Sequence, residues 1–442
     1  MRNPLMQFIP SFRTGPTSSR LLLFSLLLLT GCQHAVTLMP TPEVLRDERF
    51  DIFTHNPNLE KTNKVNVFYA TNRLPSDKPS EPGYAKSFDH TLRFGEVTLQ
   101  IGSDEQNWEQ LYAESTTAER KDTFEISLIQ HREIGSLKES DAPERLPEDL
   151  KAFIAKLNQA IDQSPLKTLT IYVHGANSNF YRATSQGAQY RYFTGQQAVV
   201  LVFAWPSAEN ILKYTTDVKN TKQTVPDFIR LLEIMAKYSN AKRINIIAYS
   251  AGGRLTGDAL GQIGAHRENK NVERARKALR FGQLYLTSSD EPLYEFIDYL
   301  PGYIHLFEGI TVTADPKDGV LGFAKFTDGQ LRLGRPPEEG VDRDLTAEQQ
   351  TWLTHAINSK AFTLINLQVN TIPGFEFTHG AWYENPWVST DVIATLNLGL
   401  RLEQRGLAVY KGHSDRDVWY FPPDYLQKLK AFLLERRKAT AR

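Results

Sequence analysis

The tightest constraint on the fold is a series of short, almost wholly apolar runs: 169–173 (LTIYV), 198–204 (AVVLVFA), 243–249 (RINIIAY), 283–287 (QLYLT), 310–314 (ITVTA) and 363–369 (TLINLQV). A strand with one face in water alternates apolar and polar side chains, whereas a strand buried on both faces does not. These runs therefore predict parallel strands at the centre of a sheet. Amphipathic helices separate them. In 147–161, Leu150, Phe153, Ile154, Leu157 and Ile161 recur at three- and four-residue steps, with Pro147 near the first turn, where a missing N–H does no harm. The segment 226–238 reads the same way, with Pro226 at its start. Parallel strands joined by helices need right-handed crossovers and helices on both faces, a doubly wound α/β fold. Three earlier runs, 65–70 (VNVFYA), 96–101 (EVTLQI) and 123–129 (TFEISLI), do alternate and predict antiparallel strands at one edge. Residues 64–442 read as a single domain.

The N-terminus follows different rules. Residues 1–31 hold Arg2, Arg13 and Arg20, no acid, and an apolar run at 21–29 that is too short to span a bilayer, which takes about 20 residues. The run suits the core of a secretory signal and ends in Leu29-Thr30-Gly31-Cys32. This ending resembles the bacterial lipobox. The resemblance implies that 1–31 is removed, that Cys32 is lipidated, and that Gln33 sends the chain to the outer membrane, facing the periplasm. Acyl chains on Cys32 then replace the lost apolar run as the membrane anchor. Residues 32–63 carry scattered Pro, Asn, Asp and Thr without periodicity and are expected to be the lipidated Cys and a tether.

Composition removes several function classes. Lys and Arg total 51 against 51 Asp and Glu, and loss of 1–31 leaves 48 against 51, so no basic surplus exists for nucleic acid or for anionic lipid. Membrane contact should come from the lipid alone. Cys32 is the single cysteine, so a disulfide within the chain and a thiolate zinc site are excluded.

The chemistry gathers at 248–252 (AYSAG), where the run 243–249 meets a helix-compatible stretch. Small residues two before and two after a serine are what a sharp strand-to-helix turn needs, and that turn lifts the serine oxygen above the strand ends. Ser250 is the candidate nucleophile. Ser185, in 183–187 (ATSQG), fits the same pattern but follows a polar loop rather than a strand. In hydrolases of this build the chain order is Ser, acid, His, with the last two on loops after later strands. His379 is the first histidine beyond the last predicted strand, and His413 is its rival. For the acid, Asp318, before Gly319 at a loop-to-helix step, is preferred to Asp315; Asp290 is a third candidate. His174-Gly175-Ala176 follows the strand 169–173, so the amides of Ala176 and Ala251 are the proposed oxyanion donors, with His174 a structural hydrogen-bonding group. Trp205 and Ser207 are expected on the same rim. The segment 103–118 and the aromatics around Tyr190–Phe193 and Trp382-Tyr383 are further candidates for the pocket walls. This chemistry calls for no metal and no organic cofactor.

The stretches 65–73 (VNVFYATNR), 95–101 (GEVTLQI), 172–177 (YVHGAN), 203–207 (FAWPS), 248–252 (AYSAG) and 379–386 (HGAWYENP) together resemble the α/β-hydrolase superfamily, and within it a bacterial esterase/lipase-like branch of unknown function. The resemblance implies a Ser–His–Asp hydrolase and favours His379 over His413. Ala248 and Lys317-Asp318-Gly319 depart from the usual pattern at the elbow and at the acid. The expected activity is hydrolysis of a small-molecule or lipid ester, falling at low pH as His379 gains a proton. The alternatives are a lipid-anchored binding or scaffold protein on the same fold, and an acyltransferase or peptidase using the same three residues.

Overall fold

The structure is a computed structural model that describes residues 35–117, 119–142, 145–210, 213–266, 271–368 and 379–440. Residues Val36–Arg442 form one compact unit built on a twelve-stranded sheet. In chain order the strands are β1 (Val36–Thr37), β2 (Lys64–Ser76), β3 (Gly83–Ile101), β4 (Glu125–Lys138), β5 (Thr168–Val173), β6 (Val199–Phe203), β7 (Arg243–Tyr249), β8 (Phe281–Thr287), β9 (Gly309–Ala314), β10 (Phe362–Asn366), β11 (Ala408–Lys411) and β12 (Asp417–Tyr420). Their order across the sheet is β1-β4-β3-β2-β6-β5-β7-β8-β9-β10-β12-β11. From β2 to β12 every neighbouring pair is parallel. β1 to β2 form an antiparallel edge, as the alternating runs required. The opposite edge also turns antiparallel, through the short hairpin β11–β12. Its four-residue strands carry too few apolar residues to register as a run.

Among the described residues, twelve helices flank the sheet: α1 (Trp108–Ser115), α2 (Glu148–Gln163), α3 (Phe180–Phe193), α4 (Tyr214–Tyr238), α5 (Ala251–Ala265), α6 (Val272–Leu279), α7 (Leu293–Tyr303), α8 (Gly319–Asp328), α9 (Ala347–Ile357), α10 (Ala381–Glu384), α11 (Pro386–Leu396) and α12 (Tyr425–Thr440). The apolar core splits in two. Side chains of α2, α4, α5, α7 and α9 pack on one face, and those of α3, α11 and α12 on the other. Both faces of β5 to β8 are thereby dry, which is why those strands lack alternation.

Two expectations need correction. Pro226 does not start its helix: α4 begins at Tyr214 and carries Pro226 in its interior. The stretch before it is rich in Thr and poor in apolar residues, yet Asp217, Thr221 and Thr224 are buried there, so tertiary contacts override weak propensity. The tether also fails from Val36 onward, and the compact unit begins there rather than at residue 64. Val44, Leu45, Phe50 and Phe53 are buried in the α3 face of the core. The Phe53 ring meets Trp108 edge-on at 5.6 Å and Tyr192 at 5.3 Å, and the Val44 N–H donates to Thr390 Oγ1 at 3.2 Å. Three short 3₁₀ turns carry these apolar residues, a geometry with no sustained period to read from sequence. Cys32 and the signal segment 1–31 lie outside the described residues.

Candidate active site

β7 lies between β5 and β8 near the middle of the sheet and is buried from Ile244 to its end. It stops at Ser250, whose φ of 53° and ψ of −121° put a non-glycine residue in a backbone region that costs about 1–3 kcal/mol to occupy. The surroundings enforce it. Ser250 N–H donates to Thr287 O at 3.1 Å, and its carbonyl accepts from Gly253 N–H at 2.8 Å and from Asp290 N–H at 3.0 Å. The small flanking residues are sterically required: a Cβ on Gly252 would stand 2.5 Å from the carbonyl oxygens of both Val173 and His174. A Cβ on Gly175 would stand 2.9 Å from Ser250 Cβ, so the 174–176 turn runs directly against the serine.

His379 and Asp318 come to this point from later in the chain, after β10 and β9 on the β8 side of β7. Asp318 follows β9 and caps α8, its Oδ1 accepting the Leu321 N–H at 3.0 Å. Its other oxygen, Oδ2, lies 2.8 Å from His379 Nδ1. His379 Nε2 lies 3.0 Å from Ser250 Oγ. With Nδ1–H donating to the carboxylate, Nε2 is left as an acceptor for the serine O–H, the tautomer a general base needs. All three side chains are buried. Asp315 instead spends Oδ1 on the Lys317 N–H in its own turn. His413 is exposed, with Nε2 against the Glu338 carbonyl, and Ser185 sits buried within α3.

A cavity of about 220 Å³ opens over Ser250 and His379, lined also by Ala176, Tyr249, Val320 and Tyr383. Arg182 and Glu384 add opposite charges to its wall. Ala251 opens α5, where the first amides have no partner within the helix and aim positive potential at the serine. His174 is fully buried, stacked on Trp205 at 4.9 Å. Its ring nitrogens lie 2.7 Å from Gly175 O and 3.1 Å from Trp205 O. Burial, with the Arg73 charge, pushes its imidazole down to about 3, so it stays neutral and structural. Trp205 is wholly buried under that ring rather than set on the rim, and of the aromatic segments only Tyr383 reaches the cavity. The described residues of the segment 103–118 include α1 and do not line the cavity.

Sequence reading missed the residues that hold the 174–178 turn. Asp217 accepts from Asn177 N–H at 3.3 Å, Ser207 Oγ at 3.1 Å and Ala208 N–H at 2.5 Å. Arg73, wholly buried at the end of the VNVFYATNR stretch, donates to Ser178 O at 2.6 Å and Trp205 O at 3.0 Å. The only signal was a charged residue inside a strand pattern.

Asp290 reaches the cavity wall but is fully engaged elsewhere. Arg332, wholly buried, donates to Asp290 Oδ1 at 2.7 Å and to both Asp328 oxygens at 2.8 and 2.7 Å. Tyr214 O–H donates to Asp290 Oδ2 at 2.6 Å. Arg332 thus ties the residue that grips the Ser250 carbonyl to the C-terminal end of the helix that Asp318 caps. Nearby, burial and then Glu295 push the Asp258 carboxyl up to about 6. A carboxyl raised on folding favours the protonated state, so its penalty is absent below the unfolded value and grows as pH rises to the folded one. Asp258→Asn should therefore gain stability relative to wild type between about pH 4 and 7, by about 2 kcal/mol once partial solvent screening is allowed for. Urea unfolding at the two pH values measures that difference, and no change with pH contradicts it.

Among the described residues, no group of three or more His, Cys, Asp or Glu side chains is placed to hold a metal ion. Residues 150–395 match the family described as alpha/beta hydrolase of unknown function (DUF900). No protein of curated function matches significantly. Among solved structures, a provisionally assigned cell surface hydrolase from Lactobacillus plantarum WCFS1 aligns at 11% identity and TM-score 0.30, covering 53% of this chain and 92% of its own. The C6-C4 SN3 inhibited esterase B from Lactobacillus rhamnosis aligns at 14% identity and TM-score 0.23, covering 36% and 60%. At these scores neither likeness says what the chain acts on.

Proposed function

Because this chain belongs to a family of alpha/beta hydrolases of unknown function, we propose that it is a serine hydrolase that cleaves carboxylic esters by acyl transfer to water. Ser250 Oγ attacks the ester carbonyl while His379 Nε2 takes its proton. The charge that forms on the carbonyl oxygen is met by the amides of Ala176 and Ala251. His379 returns the proton to the departing alcohol, leaving an acyl group on Ser250. Water, deprotonated by the same imidazole, then releases the acid and restores the serine. Asp318 fixes the tautomer of His379 and stabilises its charged form. The observation that carries this reading is the continuous pair of contacts, 3.0 Å from Ser250 to His379 and 2.8 Å from His379 to Asp318.

The cavity supports a compact acyl group. At about 220 Å³ it is smaller than the roughly 300–1,000 Å³ usual for a whole small-molecule site. The protein acts from the cell envelope, held at the membrane by lipid on Cys32 and facing the periplasm. No helix of the described residues is long and apolar enough to cross a membrane. A series of nitrophenyl esters tests the reading: kcat/KM should be highest at two to four acyl carbons and fall by about tenfold or more by twelve, with no turnover of any chain length by Ser250→Ala. A preference for the longest chains contradicts the compact pocket, and unchanged turnover by Ser250→Ala contradicts the chemistry.

A further inference from the structure

A second cavity, of about 610 Å³, lies beside the turn that leads to Asp318 and shares no lining residue with the Ser250 cavity. Pro316 and Lys317 of that turn form part of its wall, and its apolar floor comes from Phe296, Ile297, Leu353, Ile357, Phe362 and Leu364. The hairpin β11–β12 closes one side, C-terminal to the family-matched segment 150–395. The volume falls within the range of about 300–1,000 Å³ that holds an entire small ligand.

The charges at the rim are unequal. Lys317, Lys411 and Arg416 line the cavity against a single carboxylate, Glu338. Lys411 is taken by Asp417 at 2.8 Å and Arg416 by Asp342 at 2.6 Å. Lys317 is exposed and forms no ion pair among the described residues. An apolar floor with one uncommitted cation at its edge suits a ligand that is apolar along its length and anionic at one end.

We propose that this cavity binds a single-chain anionic amphiphile of the fatty-acid class, its alkyl chain on the Phe296–Leu364 floor and its carboxylate at Lys317. The site stands apart from the reacting serine and does not depend on turnover. Because Lys317 adjoins Asp318 in sequence, and its N–H holds Asp315 at 2.8 Å, occupancy bears on the turn that presents the acid to His379.

The test is a fluorescence titration of the full-length chain with cis-parinaric acid. Wild type and Ser250→Ala should bind with affinities within about twofold of each other, because the serine is not part of this site. Ile357→Trp, which fills the cavity, should weaken binding by about tenfold or more. Lys317→Glu, at an exposed position that the core does not need, should weaken the acid by about tenfold and leave parinaryl alcohol unaffected. The proposal is overturned by absence of saturable binding, by loss of binding in Ser250→Ala, or by a Lys317→Glu protein that binds acid and alcohol as wild type does.

Discussion

His379→Ala lowers kcat on a short nitrophenyl ester by about 10⁴- to 10⁶-fold, whereas His413→Ala leaves it within about twofold of wild type. The asymmetry follows from position. His379 Nε2 lies 3.0 Å from Ser250 Oγ, and among the described residues it is the hydrogen-bond partner placed to accept its proton. A neutral serine hydroxyl attacks an ester poorly, so losing the base removes nearly all the gain over the uncatalysed reaction. His413 is exposed and rests on the Glu338 carbonyl beside the other cavity. The His379→Ala protein should remain folded, because Asp318 keeps its bond to the Leu321 N–H when the imidazole goes. Steady-state kinetics of the two variants, with circular dichroism as the control for folding, gives the comparison. Loss of activity in His413→Ala instead would move the base to that residue.

Arg332→Ala should lower unfolding free energy by about 3–5 kcal/mol, the usual loss when one partner of a buried charge network is removed. Arg332 is wholly buried and bridges Asp290, itself 1% exposed, with Asp328. Without it, the Asp290 carboxylate keeps, among the described residues, Tyr214 O–H and a longer approach from Arg254 Nε at 3.4 Å. Arg332→Lys should recover little. One ammonium cannot replace a planar fork that reaches Asp290, Asp328, Tyr214 and the Gln330 carbonyl together. Activity should fall as well, because Asp290 N–H grips the Ser250 carbonyl and Asp328 ends the helix that Asp318 starts. Urea unfolding followed by tryptophan fluorescence measures the loss; a change under about 1 kcal/mol would mean that solvent reaches and screens the pair.

Much of this architecture is legible in the sequence because burial on both faces leaves a mark on it. β5 and β7 read directly, since every residue from Ile244 to Tyr249 must be apolar, small or hydrogen-bonded in the ladder. β3 reads only in part. Its second half alternates apolar and polar residues, but 86–91 carry a single apolar side chain, Phe88, and form a half-exposed ribbon that the pattern could not separate from a loop. The strap at 36–56 and the start of α4 escaped for the opposite reason: they are buried without a period. At the site, Ser250, Asp318 and His379 could each be named from local context. Their meeting could not, for it joins residues 129 and 61 positions apart. Asp217 and Arg73 stayed hidden because a buried charge leaves no pattern until its partners are known.

The central claim is that Ser250 is a nucleophile activated in place. Reaction of the folded full-length protein with a fluorophosphonate probe, followed by peptide mapping, addresses it most directly. One adduct on the Ser250 peptide in wild type, and none anywhere in Ser250→Ala, is the predicted result. Undiminished labelling of Ser250→Ala, or no labelling of the folded wild type, would contradict it.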